Sequence, residues 1–524
     1  MKRVAVDLTP LRAGGDNGGI KPLAIELVRR LAAIAPACEF VLLTAGRSHA
    51  ELAFLDAPNV RRLCVAHPEG APTPALQRAF AARRLLQKLL PARAVERIGA
   101  LYARLFYRMP AESPLLGRLE ADLLFCPFTG IFFYDPAVPA VSVVADLQFL
   151  YYPEFFSPEE RLERERHFRQ VCRVASRVIC ISEYTRGTVL QHADLAPERT
   201  VAIPIAARES LARPARTAGG YGRYLLYPAN FWRHKNHELL LTAFGIYLAA
   251  HPDSALKLVL TGAPSARRDE LMEATRRMGL AGRVVFPGFL AEEDYAALLA
   301  GAAAMIFPSL FEGFGMPVLE AMAAGVPVLC GSLTSLPEVA GAAALLFDPR
   351  RPSEIVAAIK RLESEPAFRA GLIERGRRRA AEFLKPEEMA ARYWKVFEEA
   401  VRQPAERPPG VYGVFPDGWT GPRVTVVFGP GPEGTPEGPA PRRLTLTLRS
   451  PDRKVSIRVG GQVHRIARGR HQTITLDLPG EAGAMELQCS PTFQPGGADP
   501  RRLGCLLESA AIEGAQLPRE AHAA

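Results

Sequence analysis

The hydrophobic pattern divides the chain into three stretches. Up to about residue 210, short apolar runs alternate with helical segments: Arg3 to Val6, Glu39 to Leu43, Leu123 to Cys126, Val141 to Ala145 and Val178 to Ser182 read as strands, and Pro22 opens a helix with Leu23, Leu27 and Leu31 on one stripe. After a linker rich in Ala, Arg and Gly (Ala206 to Gly222) the same grammar resumes. Strands are expected at Tyr224 to Tyr227, Leu256 to Thr261, Arg283 to Phe286, Ala304 to Phe307, Val326 to Leu329 and Ala343 to Phe347, with helices at Asn236 to Ala250, Arg268 to Met278 and Glu292 to Ala300. These strands are apolar and largely non-alternating, which implies parallel sheets covered on both faces. Beyond Pro404 the period becomes two, at Arg423 to Phe428, Leu444 to Leu448, Lys454 to Val459, Thr473 to Leu478 and Met485 to Cys489, so an all-β sandwich-like unit is expected.

The expected architecture is therefore two α/β domains in series with a cleft between them, followed by a β-rich domain. The boundaries are 1–210, with a basic helical insertion at 71–110; 223–385; a closing helix and linker at 386–404; and an accessory domain at 405–524. A length of 524 residues agrees with several domains, and 48% apolar with 23% charged residues is ordinary globular usage. The apolar run from Ala296 to Pro308 is too short to span a bilayer, and the N-terminus enters a strand-like run without a signal-peptide pattern, so a cytoplasmic location is expected. Eight cysteines show no Cys-x-x-Cys pair and no grouping with His, which suggests neither a zinc site nor a disulfide framework.

The formal charge of +10 is concentrated: residues 71–110 hold eight basic side chains against one acid. Without a recognition-helix or aromatic strand motif beside it, this patch argues against nucleic acid and for an anionic membrane surface or a phosphorylated substrate, with a solvated helix face as the plain alternative.

Chemistry concentrates in the segment Pro308-Ser309-Leu310-Phe311-Glu312-Gly313-Phe314-Gly315-Met316-Pro317-Val318-Leu319-Glu320-Ala321. It leaves a strand, makes a glycine-punctuated turn and enters a helix with Pro317 at its first position, stopped by Gly325. A helix start of this kind suits a diphosphate, and the glycines permit close backbone approach. Glu312 on the turn and Glu320 inside the helix can meet hydroxyls of one ligand from different ends. A second segment, Tyr227 to His237, places Arg233 and Lys235 at the entry of the next helix, where a cation can neutralise charge developing on a departing diphosphate. The glycine turn after the first strand, Gly14 to Gly19, does not fit Gly-x-Gly-x-x-Gly, so a dinucleotide cofactor is not expected.

These motifs resemble the retaining glycosyltransferases of family 4 (glycosyl transferases group 1), whose GT-B fold is two facing Rossmann-like domains. The resemblance runs through almost all of residues 1–400. It is densest from Phe286-Pro287-Gly288-Phe289 through the Glu-x7-Glu motif at Glu312 and Glu320 to Gly325-Val326-Pro327-Val328 and Leu336-Pro337-Glu338-Val339. It implies that Glu312 faces the donor sugar, Glu320 holds the nucleotide ribose, Lys235 binds the diphosphate, and Gly18 and Gly19 approach the donor phosphates.

On this reading Glu312, Lys235 and Asp146 are the catalytic candidates. Gly18, Gly19, Asn230, Arg233, Lys235, Phe289, Glu312, Gly313, Phe314, Gly315, Met316, Pro317, Leu319 and Glu320 are the donor-binding candidates. Two positions depart from the family pattern. Asn230 stands where many relatives have an arginine, so Arg233 is expected to supply the second positive charge. Ala145 stands where relatives have the histidine of a His-Asp pair, which implies a donor contact from Asp146 or Gln148 instead.

The resulting expectation is a metal-independent hexosyltransferase without a cofactor. It takes a nucleoside-diphosphate sugar, GDP-mannose among the candidates, and a glycan or lipid-linked acceptor, in bacterial surface polysaccharide biosynthesis, with peripheral membrane contact open. The alternative is a catalytically impaired sugar-nucleotide-binding or scaffold protein. The β-rich domain resembles accessory domains fused to some bacterial transferases.

Overall fold

A computed structural model describes residues 1–12, 17–65, 113–135, 138–193, 195–208, 220–402, 410–414, 418–428, 442–459, 462–478, 483–492, 504–513 and 515–517. The basic stretch 71–110 lies outside the described residues.

The first domain is built on seven parallel strands: β1 (Arg3–Asp7), β2 (Glu39–Thr44), β3 (Val60–Cys64), β4 (Leu123–Cys126), β5 (Ala140–Val144), β6 (Arg177–Cys180) and β7 (Thr200–Ala202). Their order is β3-β2-β1-β4-β5-β6-β7. The second has six parallel strands: β8 (Tyr224–Pro228), β9 (Lys257–Thr261), β10 (Val284–Gly288), β11 (Ala304–Phe307), β12 (Val328–Gly331) and β13 (Leu345–Phe347), in the order β10-β9-β8-β11-β12-β13. All four residues of β4, β11 and β12 and all five of β5 are buried, as strands covered on both faces require. In each sheet the order reverses once, between β1 and β4 and between β8 and β11. Ligands of open α/β sheets bind outside the carboxyl ends of the strands at such a reversal.

Two strands of these parallel sheets, β3 and β7, are absent from the hydrophobic reading. Both are edge strands: β3 is Val-Arg-Arg-Leu-Cys, and its Arg61 and Arg62 reach outward to Glu39 and Asp56. β12 begins at Val328 rather than at Val326, because the Val326 N–H still bonds the Ala321 carbonyl and so belongs to the end of the preceding helix. The closing helix Pro386–Arg402 returns to the first sheet, where Tyr393 and Phe397 pack on Phe125 with ring centroids 5.9 and 4.9 Å apart. Among the described residues no helix is long and apolar enough to cross a membrane.

The remaining strands form a separate unit. Antiparallel β14 (Gly410–Val414), β15 (Thr420–Phe428), β16 (Arg442–Ser450), β17 (Val455–Val459), β18 (Gln462–Ile466), β19 (Arg470–Leu478), β20 (Gly483–Ser490), β21 (Leu506–Ile512) and β22 (Ala515–Gln516) make a five-stranded sheet, β14-β15-β20-β17-β18, and a four-stranded one, β19-β16-β21-β22. Val424, Val426 and Ile457 of one sheet share a core with Leu444, Leu446 and Leu507 of the other, which is the sandwich expected from the period-two pattern. Trp419 is half-buried, its backbone bridged to Leu506.

Candidate functional site

The loops that follow β1, β5, β8 and β11 converge. After β8 the chain makes a 3₁₀ turn, Arg233–Lys235, and Asn236 in the left-handed region starts the helix His237–Ala250. The Tyr227 hydroxyl donates to the Lys235 carbonyl at 2.7 Å, fixing the turn from below. The Lys235 Nζ then meets Glu312 Oε1 at 2.5 Å, both side chains being 12% exposed, and lies 5.3 Å from the centroid of Phe307. A nearly buried ion pair therefore stands at the carboxyl ends of β8 and β11.

The turn that carries Glu312 is over-determined. Its N–H donates to Thr334 Oγ1 at 3.0 Å, and Ser335 Oγ donates to its carbonyl at 2.9 Å. Thr334 itself sits at φ +57, a strained position for a β-branched residue. The next residue meets the first domain. The Ala145 carbonyl oxygen lies 1.9 Å from where a Cβ on Gly313 would stand, so only glycine fits, and Asp146 lies beside the same point. Ser182 Oγ and Thr185 Oγ1 donate to the Gly313 carbonyl at 2.6 and 3.1 Å. Phe311 packs among Tyr151, Tyr152 and Tyr184, with centroids 5.3 to 6.1 Å away. The Glu338 carboxylate accepts from the Glu183 and Tyr184 N–H groups at 2.9 and 2.8 Å, capping the helix Glu183–His192.

Glu320 lies in the helix Met316–Ala323, with Pro317 in its first turn. It is 1% exposed and has partners on both oxygens: Arg208 Nε to Oε1 at 2.7 Å and the Tyr295 hydroxyl to Oε2 at 3.2 Å. Burial raises its pKa above the ordinary carboxylate value, partly offset by the Arg208 charge and hydrogen bond. Burial also drives the Tyr295 hydroxyl upward, helped by the Glu320 charge. Arg208 reaches Glu292 as well, at 3.1 Å.

Most of the residues expected to bind a donor are thus near one another. Gly18 packs against the Trp232 indole and Gly19 against the end of Met316, which brings the first-domain turn to the start of the helix holding Glu320. Arg233 and Phe289 are exposed, the latter to 61%. Three candidates do other work. The Asn230 Oδ1 accepts from Ala263 N–H at 2.9 Å, tying two loops together; Phe314 is buried against Phe383; and the Leu319 side chain is wholly in the core. Asp146 accepts from the Gln148 N–H at 3.0 Å, and the Gln148 side chain is 6% exposed, with no partner for its Nε2 among the described residues.

Arg208, Tyr295, Ser182, Thr185 and Trp232 are absent from the sequence-based set. Trp232 lies within the segment Tyr227 to His237 and Glu338 within the Leu336 to Val339 motif, whereas Arg208, Tyr295, Ser182 and Thr185 reach the site from elements whose local pattern carries no sign of it.

Residues 213–379 match the family model described as glycosyl transferases group 1. The matched stretch covers Lys235, Glu312 and Glu320, so the coarser part of the expected resemblance, to glycosyl transferases group 1, is met there. Over 253 residues the chain is 28% identical to O-antigen chain mannosyltransferase B of Escherichia coli, covering 47% of this chain and 66% of that one. It is 30% identical over 240 residues to the MMP alpha-(1→4)-mannosyltransferase of Mycolicibacterium hassiacum, covering 45% and 57%. The chain thus spans less than two thirds of each relative. Among solved structures, Anabaena HepE in complex with UDP-glucose superposes with a TM-score of 0.54 at 17% identity, covering 76% of this chain and all of that one. The two parallel-sheet domains have the GT-B fold.

Proposed function

We propose that the protein is a retaining, metal-independent glycosyltransferase that moves a hexose, with mannose the first candidate, from a nucleoside-diphosphate sugar to a glycan or lipid-linked sugar acceptor in surface polysaccharide assembly. The Lys235–Glu312 pair carries the reading. A lysine held in a low-exposure site at the carboxyl ends of two central strands can compensate the charge that grows on a leaving diphosphate, while the adjoining carboxylate accepts from sugar hydroxyls. Arg233 is assigned to the same diphosphate, and Glu320 to the nucleoside. The names of the two mannosyltransferase relatives support mannose, and the likeness to a protein bound to UDP-glucose supports the donor class.

A thermal-shift screen of GDP-, UDP-, ADP- and dTDP-sugars identifies the donor, because a ligand at a hundred times its Kd adds about 2.7 kcal/mol. Turnover of that donor is expected to survive EDTA and to give a product with the donor's anomeric configuration. Loss of turnover in EDTA restored by magnesium or manganese, or an inverted product by NMR, overturns the respective part.

Ala145 beside Gly313 favours a second reading, binding of a sugar nucleotide without transfer. Release of nucleoside diphosphate from the donor separates the two. The basic stretch 71–110 is assigned to an anionic membrane bearing the acceptor. Equal co-sedimentation with neutral and phosphatidylglycerol vesicles removes that assignment.

A further inference from the structure

Arg208 lies on the segment that joins the two Rossmann-like domains. The residues before it are anchored: Ile203, Ile205 and Ala206 are buried in the shared core, and the Ala206 N–H meets the sulfur of Met389 at 3.4 Å. Arg208 is therefore delivered from a fixed backbone. It reaches the buried Glu320 carboxylate at 2.7 Å, bonds Glu292 with another nitrogen, and lies 5.8 Å from the Tyr295 ring centroid.

A carboxylate offers about four acceptor positions, two on each oxygen. Glu320 has one on each oxygen engaged, Oε1 by Arg208 and Oε2 by Tyr295, so one on each oxygen is left for the two hydroxyls of a vicinal diol.

We propose that Arg208 is a positioning residue of the nucleotide site, holding Glu320 aimed and ionised so that its two oxygens accept from the ribose hydroxyls of a nucleoside diphosphate. This rests on the glycosyltransferase reading above and adds to it a residue from outside the motif region, on the segment between the domains.

The charged and titratable groups that face Glu320 among the described residues are Arg208 from the connecting segment and Tyr295 and Glu292 from the helix Glu292–Ala300. Burial disfavours the ionised carboxylate, Arg208 favours it, and Glu292 adds a like charge that disfavours it. The signs follow. Nucleotide affinity falls as pH falls through the Glu320 pKa. Removing the Arg208 charge moves that acid limb to higher pH, whereas removing the Glu292 charge moves it to lower pH.

The test is calorimetric titration of the intact chain with the nucleoside diphosphate of the best donor, from pH 5 to 8.5, for the parent, Arg208→Gln, Arg208→Lys and Glu292→Gln. Taking the ratio of variant to parent affinity at each pH removes the nucleotide's own phosphate titration. At neutral pH Arg208→Gln is expected to bind roughly tenfold more weakly, as loss of a hydrogen bond to a charged group implies. Its deficit widens as pH falls, Arg208→Lys stays close to the parent, and Glu292→Gln shifts the other way. A flat ratio for Arg208→Gln overturns the proposal, and tighter binding overturns it in favour of an arginine that competes with the nucleotide.

A parent that binds none of the nucleoside diphosphates sinks the glycosyltransferase reading itself, a different result from a parent that binds and a variant that matches it. Melting curves of Arg208→Gln, Glu320→Gln and the double variant without nucleotide check the contact separately: non-additive shifts are expected, and additive ones contradict it.

Discussion

Glu312 and Glu320 are eight residues apart in one motif, and each meets a cation, yet the two ends of the site are built differently. Glu312 stands on a turn whose backbone is held by Thr334, Ser335 and the first domain, and its lysine comes from the neighbouring loop of its own sheet. Glu320 is sunk in a helix, and its arginine arrives from the segment between domains, 112 residues earlier in the chain. The first arrangement leaves a carboxylate at the edge of the site, where it can take part in sugar chemistry. The second makes a fixed, buried acceptor, suited to holding a ligand. The lesson is that spacing within a motif states which residues share a site but not how each charge is held.

The largest expected effect separates the two ends. Glu312→Gln keeps the shape of the turn and removes the charge beside Lys235, so sugar transfer should fall by about 10²–10³-fold while affinity for the free nucleoside diphosphate stays unchanged. Glu320→Gln should do the reverse, weakening the nucleotide first. Steady-state turnover and calorimetry on the same preparations check both. If Glu312→Gln loses the nucleotide and Glu320→Gln does not, the assignment of the two ends is inverted.

Asp7 shows what burial does to a carboxylate with no cation beside it. At the end of β1 it is 1% exposed, Oδ1 accepts from the Thr9 N–H and hydroxyl, and Oδ2 meets no donor among the described residues. Burial pushes its pKa up to about 6 from 3.8, against the lowering effect of the Thr9 bonds. A folded-state pKa raised above the unfolded one means that the folded protein prefers the proton. This contribution to stability is fully present below about pH 4 and is lost as pH rises through 6. Asp7→Asn removes the loss, so the variant should gain on the parent between pH 4 and 7, by about 3 kcal/mol at most, with melting temperatures following. A difference that does not change with pH contradicts the buried, cation-free description.

How much was legible follows from the same contrast. The central strands β1, β4, β5, β8 and β11 are covered on both faces and stand out as apolar runs, whereas the edge strands β3 and β18 show polar side chains to solvent and are missed, and the edge strand β7 is only three residues long. Lys235 and Glu312 were readable because each lies directly after a central strand. Arg208 was not, because it follows no periodic element and acts through a contact that only the folded chain creates. Asn230 and Leu319 are donor-binding candidates by their place in the motif segments, while their side chains tie a loop and fill the core.

Gly313→Ala tests whether the Glu312 turn depends on the first domain. An added Cβ would meet the Ala145 carbonyl oxygen at 1.9 Å, so one side must move. The expected cost is about 1–3 kcal/mol in the thermal stability of the two-domain unit, accompanied by loss of transfer. A variant as stable and as active as the parent would show that the contact between Gly313 and Ala145 is dispensable.

The smallest expected effect concerns Glu338, whose carboxylate has neither lysine nor arginine opposite it among the described residues. Its two oxygens accept from the first two N–H groups of the helix Glu183–His192, and the positive end of that helix takes the place of a cation. Arg379 fixes the approach by donating to the Glu338 carbonyl at 2.7 Å. In Glu338→Gln one oxygen becomes an amide that points a donor at a donor, and the charge on the helix end is lost. About 1 kcal/mol should go, a fall of about 2 °C in the melting temperature of a unit this size. Glu338→Ala should cost a similar amount, since it leaves the same N–H groups to water. Salt tells the two components apart: screening should shrink the deficit to the extent that charge on the helix end matters, and should leave it constant if hydrogen bonding alone does. A Glu338→Gln protein that melts with the parent at low ionic strength would mean that the helix end is served equally well by solvent, and that the two domains meet without help from this carboxylate.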